Sequence, residues 1–372
     1  MPRIALLFTA LCILGCAGGD HDTERSARIN QLLTSTDLEG YSRAFEPRPF
    51  EFPRDHSAHP NFKTEWWYFT GNLSDSHDRP FGFQLTFFRF ALASKDIADD
   101  SEWRTRQAWM AHMAITDVRS GRFISAERFS REALMLAGNS ADPFRIWIED
   151  WGASATGPES FPLRLRAGTI EASLDLNLAA TKPPTGHGER GLDAKGPLPG
   201  NASYYYSMPR LAVFGELQIE GDRYDVDGSA WLDREWSTSA LDSTLAGWDW
   251  LALELSDGRD LMLYRLRTSG GGSSPFSTGS LIAADGTVMA LKPADFELEA
   301  STFWTSPATG VRYPVGWNVN LPRHGLQLEV LALIPNQEMN LAVRYWEGAV
   351  SARGSQASST VTGRGYLELT GY

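Results

Sequence analysis

The stretch of this 372-residue chain with the most chemistry in it is Trp231-Leu232-Asp233-Arg234-Glu235-Trp236. As a strand it puts Trp231, Asp233 and Glu235 on one face and Arg234 and Trp236 on the other. Either face combines an ionisable group with an aromatic wall. A carboxyl group desolvated in such a pocket favours its neutral form and can hold a proton near neutral pH. An acid of that kind can protonate an alkene, and electron-rich rings stabilise the carbocation that water then captures. Trp66, Tyr68, Trp248, Trp250, Tyr264 and Trp346 are candidates for the remaining wall. Asp233, Glu235 or Asp249 would supply the proton, Arg234 would orient the ligand, and His112 joins the candidate ligand-binding residues.

Other chemistries find less support. There is no G-x-S-x-G elbow and no H-E-x-x-H pair, and no phosphate-cradling glycine loop precedes a helix. The only two cysteines are Cys12 and Cys16, so nothing beyond residue 16 can form a disulfide or a thiolate metal site. His56 and His59 are close in sequence and His112 lies in a strand-like run. They read as hydrogen-bonding residues, and neither a metal nor a cofactor is expected. A net charge of −12 argues against a nucleic-acid partner, which would need clustered Lys and Arg.

These residues need a scaffold, and the composition indicates which. Hydrophobic content of 42% and charged content of 22% are those of a globular protein. With 34 Gly and 20 Pro, turns are favoured over long helices. Runs such as Phe81–Arg89, Thr169–Leu178, Asp260–Leu266 and Gly325–Leu331 alternate or cluster β-formers, and no long stretch keeps a 3.6-residue apolar period. The chain reads as all-β.

It also repeats itself. Trp66-Trp-Tyr-Phe-Thr-Gly-Asn-Leu-Ser-Asp75 aligns without a gap on Trp248-Asp-Trp-Leu-Ala-Leu-Glu-Leu-Ser-Asp257. Each is followed by a strand ending in an aromatic and an arginine, Phe88-Arg89 and Tyr264-Arg265. Phe161-Pro-Leu with Leu174–Leu178 matches Tyr313-Pro-Val with Leu328–Leu331. Gly228-Ser-Ala-Trp-Leu-Asp233 matches Gly363-Arg-Gly-Tyr-Leu-Glu368, preceded by Tyr205-Tyr206 and Tyr345-Trp346. Three matches in one order imply two related β units, about Phe62–Ser237 and Gly247–Tyr372, each long enough for an eight- to ten-stranded barrel. The Gly- and Pro-rich loop Thr181–Ser203 sits inside the first.

The N-terminus suggests export. Met1-Pro2-Arg3 precedes the apolar run Ile4–Leu14, too short to span a bilayer as a mature helix. Ile13-Leu14-Gly15-Cys16 resembles a bacterial lipobox, in which the chain is cut before the cysteine and the thiol is acylated. The expectation is a signal peptide over 1–15, lipidation at Cys16 and a polar tether over 16–49. A first barrel then covers 50–240 and a second 241–372. Ala17 after the cysteine fits outer-membrane sorting in Gram-negative lipoproteins.

Several blocks together resemble a known family. They are His56-Ser-Ala-His59-Pro60, Glu65-Trp-Trp-Tyr-Phe-Thr-Gly-Asn-Leu73, Asp233-Arg-Glu-Trp236, Gly247-Trp-Asp-Trp250, Tyr345-Trp-Glu-Gly348 and Gly365-Tyr-Leu-Glu-Leu-Thr-Gly-Tyr372. The chain is similar to the AttH-like secreted proteins, which are related to carotenoid 1,2-hydratases and often described as secreted hydrolases. The resemblance implies two consecutive lipocalin-like antiparallel β-barrels packed together, acting on a lipophilic small molecule by acid-catalysed hydration or hydrolysis. One departure stands out. The hydratase branch carries His-Asn-Trp where this chain has Arg234-Glu235-Trp236, and an acid where Leu266 stands.

Two other functions use the same scaffold. The barrels can carry or scavenge a lipophile without chemistry, or serve as a surface attachment factor, the latter by family analogy alone. The charged residues can also be structural, with Asp233–Arg234 or Glu235–Arg265 ion pairs closing a barrel or joining the two. An open aromatic cavity of several hundred Å³ around Asp233 and Trp236 would favour a ligand; a sealed, side-chain-filled core there would count against both the enzyme and the carrier.

Overall fold

The computed structural model describes residues 38–94, 101, 103–238, 244–357 and 359–372. The signal peptide and Cys16 lie outside the described residues, as do 17–37 of the expected tether. The first sheet begins with β1 (Thr64–Asp75), β2 (Pro80–Ala91), β3 (Gln107–Asp117) and β4 (Arg122–Arg131). Short strands follow: β5 (Ala137–Ala141), β6 (Phe144–Ile148), β7 (Trp151–Ala155), β8 (Leu163–Gly168) and β9 (Ala172–Ala180). The loop segment contributes β10 (Thr185–Gly186) and β11 (Leu192–Ala194), before the long hairpin of β12 (Ala202–Ile219) and β13 (Asp222–Ser237).

The second sheet comprises β14 (Leu245–Leu255), β15 (Asp260–Thr268), β16 (Gly272–Ser273), β17 (Thr278–Ile282) and β18 (Val288–Leu291). It continues with β19 (Glu297–Thr305), β20 (Arg312–Leu321), β21 (Leu326–Ala332), β22 (Glu338–Asn340), β23 (Arg344–Gln356) and β24 (Ser359–Thr370). The chain passes from one sheet to the other between Ser237 and Leu245.

The first sheet runs β4-β3-β2-β1-β13-β12-β9-β8-β7-β6-β5, and the second β18-β17-β15-β14-β24-β23-β21-β20-β19. Every pairing is antiparallel, and both sheets curl into barrels around their own apolar cores. From β4 to β7 and from β18 to β19 the order is the same. The sequence repeat is therefore a repeat of topology, in which the last strand returns to pair with the first. Short strands lie off this order in both: β10 and β11 beside β12 in the first, β16 beside β15 and β22 beside β23 in the second. With β5 and β6 added, the first sheet has 13 strands among the described residues and the second 11, both more than the eight to ten expected.

Burial along each strand shows which side meets what. On β9, Leu174, Leu176 and Leu178 are buried, whereas Asp175 and Asn177 between them are partly exposed, the mark of a strand facing solvent on one side. On β1, nearly every residue from Trp67 to Leu73 is buried, on both faces. On β13 only the half from Ala230 to Ser237 is buried on both faces. The doubly buried faces are where the barrels meet, and they enclose a third apolar cluster that includes Tyr68, Tyr205, Trp231, Trp250, Met262, Tyr264 and Leu266. Strand β12 shifts register between Met208 and Leu211, at Pro209, which has no N–H to give the ladder.

Residues 41–62 pack across one end of barrel 1. Ala44 is fully buried in its core, and Phe50, Ala58 and Phe62 lie against it. The residues numbered 41–49, the last part of the expected tether, therefore pack on the barrel.

Candidate active site

Strand alternation sorts the residues of the 231–236 stretch as the sequence indicated, and the two faces have different fates. Leu232 and Trp236 point into barrel 1, while Trp231 faces barrel 2. Asp233 is 4% exposed and collects three donors. The Tyr205 hydroxyl donates to its Oδ2 at 2.5 Å, Trp231 Nε1 donates to Oδ1 at 2.5 Å, and the Ser207 hydroxyl also reaches Oδ1. Trp250 Nε1, from the second barrel, donates to the Tyr205 hydroxyl at 2.9 Å. Burial pushes the Asp233 pKa up to about 7, against the three hydrogen bonds and helped by the charge of Glu235. Asp233 can thus both hold and release a proton at neutral pH.

Around this carboxyl stand groups that the sequence reading did not single out. His187 Nε2 lies 2.5 Å from Ser207 Oγ, and its Nδ1 is 2.9 Å from Ser280 Oγ of barrel 2. Burial and the charge of Lys195 lower the His187 pKa to about 3, so the ring is neutral. Lys195 Nζ sits 3.0 Å from Glu235 and 2.6 Å from Asp193, and 4.1 Å from the Tyr264 ring centroid. Burial acts to lower the Lys195 pKa, but the charges of Asp193 and Glu235 raise it on balance. Both His187 and Lys195 come from the 181–203 loop, where sequence gave no periodic signal.

Barrel 2 answers with its own acids. Glu368 lies opposite Trp250 in the β14–β24 ladder, as Asp233 lies opposite Tyr68 in the β1–β13 ladder. These two carboxyls are the equivalents matched by the repeat at Trp231-Leu-Asp233 and Tyr366-Leu-Glu368. Glu368 was not among the residues expected from the sequence, although that match could have pointed to it. Burial pushes its pKa up to about 8, against a hydrogen bond with Trp248 and with the charges of Asp233 and Glu235 adding to the rise. Glu347, its neighbour on β23, is raised well above the carboxylate range by burial and by the charge of Glu368, against the Tyr68 hydrogen bond.

The expected wall is partly assembled here. Tyr68, Trp250 and Tyr264 belong to the inter-barrel cluster, with Trp66 and Trp248 half-buried at its margin. Tyr68 and Trp250 meet edge to face, their rings 5.1 Å apart. Leu266, at the position of the hydratase branch's acid, packs in the same cluster.

Five expected site residues lie elsewhere. Arg234 is fully buried inside barrel 1, bonded to Glu65 at 2.6 Å and stacked over the Trp67 ring at 4.0 Å, so it cannot orient a ligand beside Asp233. Trp236 stacks on His59 within the same barrel, 3.8 Å apart and 6° from parallel. Asp249 points away from the interface, ion-paired to Arg265 at 2.6 Å and accepting from the Tyr372 hydroxyl at 2.6 Å. Trp346 is a core residue of barrel 2, its indole donating to the Pro335 carbonyl at 2.9 Å. His112 lies between the barrels, 2.7 Å from the Tyr345 hydroxyl rather than beside Asp233, and burial lowers its pKa to about 3. Neither of the simple ion pairs Asp233–Arg234 and Glu235–Arg265 forms, because alternation sends the arginines inward.

Asp233 and Trp236 are both buried, and among the described residues no open cavity of that size surrounds them, which counts against a preformed site for either an enzyme or a carrier. A cavity of about 600 Å³ lies instead at the strapped end of barrel 1, among Ser57, Arg89, Arg106, Gln107, Glu132 and Asn139. Among the described residues no group of His, Cys, Asp and Glu is arranged to hold a metal ion.

Comparison with known proteins places this geometry. The model of the AttH-like family matches residues 43–372. The chain belongs to the AttH-like family. A solved AttH protein from Nitrosomonas europaea is 33% identical, with a TM-score of 0.79 over 89% of this chain and 99% of that one. Kievitone hydratase from Nectria haematococca shares the fold at 13% identity, with a TM-score of 0.67 over 89% of this chain and 96% of that one. The dehydratase AsqC of Emericella nidulans is 21% identical over 217 residues, 56% of this chain. The chain thus spans about 60% of the length of that curated relative.

Proposed function

We propose that this AttH-like protein is a hydration-type enzyme: it adds water to, or removes it from, a lipophilic isoprenoid- or lipid-like molecule held between its barrels. The observation that carries the reading is Asp233, a carboxyl poised near neutral pH, fixed by three donors and surrounded by Tyr205, Trp231 and Trp250. In the hydration direction Asp233 gives its proton to an alkene carbon. The rings stabilise the cation, water adds to it, and the added water gives its extra proton to a carboxylate of the site, from which Asp233 is reprotonated. The names of the hydratase and dehydratase relatives support the same class. Because the site is closed, binding requires side chains at the barrel interface to move. We also propose that Cys16 is acylated and holds the protein at the cell envelope.

Turnover of a panel of lipophilic alkenes and tertiary alcohols tests the reading. Asp233→Asn should lower turnover by about 100-fold or more while leaving ligand retention intact, as expected for loss of a general acid. Undiminished turnover in that variant would remove Asp233 from the chemistry. A carrier, the alternative reading, would retain a lipophile and turn none over even in the wild type.

A further inference from the structure

One buried acid has no role in the proton transfer described for Asp233. Glu347 is fully buried on β23, facing barrel 1. Its Oε1 accepts the Tyr68 hydroxyl at 2.5 Å, a bond that crosses from one barrel to the other. Its Oε2 is buried and has no hydrogen-bond partner among the described residues. Leaving a carboxyl oxygen unpaired in a buried interface is unfavourable, and such atoms persist where water or a ligand satisfies them.

The repeat sharpens the point. In barrel 1 the position facing Asp233 across the β12–β13 ladder is Ser207, which bonds to it. In barrel 2 the equivalent position, facing Glu368 across the β23–β24 ladder, is Glu347. One half therefore pairs its acid with a hydroxyl, and the other pairs its acid with a second acid. Barrel stability did not need that difference, since the first half is built without it.

We infer that Glu347 holds the oxygen in the reaction: its free Oε2 takes the hydroxyl that is removed or the water that is added. The ligands are then lipophilic alcohols and their alkenes, rather than hydrocarbons alone. This rests on the hydration reading above. In the dehydration direction, the Glu347 carboxyl O–H protonates the alcohol oxygen, the C–O bond breaks with its electron pair leaving on water, and a carbocation remains. The Asp233 carboxylate then takes a proton from the adjacent carbon, and that C–H pair becomes the new double bond. Nothing is oxidised or reduced. One proton has moved from Glu347 to Asp233, and its return resets the site. Tyr68 stands between the two, bonded to Glu347 and paired in register with Asp233.

Limonene and α-terpineol, which differ by one water, are suitable probes, with binding to the purified full-length chain followed by tryptophan fluorescence. The wild type should bind α-terpineol more tightly. Glu347→Leu should weaken α-terpineol binding by about tenfold, as for loss of one hydrogen bond to a charged or acidic group, and leave limonene binding unchanged. Glu347→Gln keeps the acceptor for Tyr68 and an N–H donor, so it should retain part of the preference. If both probes weaken equally in either variant, or neither does, Glu347 is structural and the inference fails while the lipophile reading stands. If the wild type binds neither probe, the lipophile reading fails and takes this inference with it.

Discussion

At the scale of single residues, the interface sets carboxyls at the edge of ionisation, and that has a measurable consequence for stability. Asp233 and Glu368 rise from ordinary values of 3.8 and 4.5 to about 7 and about 8. A group whose folded pKa is raised contributes most when protonated, and loses that contribution as pH climbs from its unfolded to its folded pKa. Thermal stability should therefore fall between about pH 4 and pH 8, at a slope of up to about 1.4 kcal/mol per pH unit for each group. Asp233→Asn should flatten the lower part of that slope, and a slope unchanged in the variant would contradict the assignment. Glu65 behaves oppositely. Burial would raise its pKa, but the charges of Arg234, His59 and Arg89 hold it low, so its contribution disappears only under strong acid. Asp233 was legible in the sequence because an acid two residues from a tryptophan on one strand face needs only local geometry. His187 and Lys195 were not, since an irregular loop carries no period from which to read direction.

At the scale of elements, the strands at the barrel interface must be apolar or well satisfied on both faces, and that demand falls on their backbones too. Gly365 on β24 pairs with Leu253 of β14, and a Cβ there would collide with the Ala252 carbonyl oxygen. Gly365→Ala should force the two strands apart and cost about 3 kcal/mol or more. Urea denaturation measures this, and a loss under about 1 kcal/mol would mean that the ladder accommodates the methyl group. The long hydrophobic and aromatic runs of β1, β2 and β13 marked strands clearly. What they could not mark was why both faces were apolar, because a strand between two cores and a strand in a sandwich look alike in sequence.

At the scale of the whole molecule, the two barrels are joined as one body. Lys182 of the first reaches Asp260 of the second at 2.6 Å, and Arg210 bonds the other oxygen of Asp260 at 2.7 Å. Asn72 donates to the Gly365 carbonyl at 3.0 Å, and Tyr68 bonds Glu347. The proposed anchor belongs to this scale as well. Cys16→Ser should move the protein from the membrane to the soluble fraction on cell fractionation. A variant that stays with the membrane would rule out acylation at Cys16 as the attachment.

The β content, the doubled topology and the family were determined by the sequence itself. Side-chain alternation and a repeated order of motifs are local properties, and they survive without knowledge of what packs on what. The tertiary structure decided which face of each strand mattered. Alternation placed Arg234 opposite Asp233 in either case, but only the packing of one barrel on the other made the Asp233 side the interface and sent Arg234 to Glu65. It also brought Glu368 up to Asp233, and with it Glu347 of the neighbouring strand, from more than a hundred residues away. Desolvation, which lifts their pKa values, is a property of the closed interface and of no single segment.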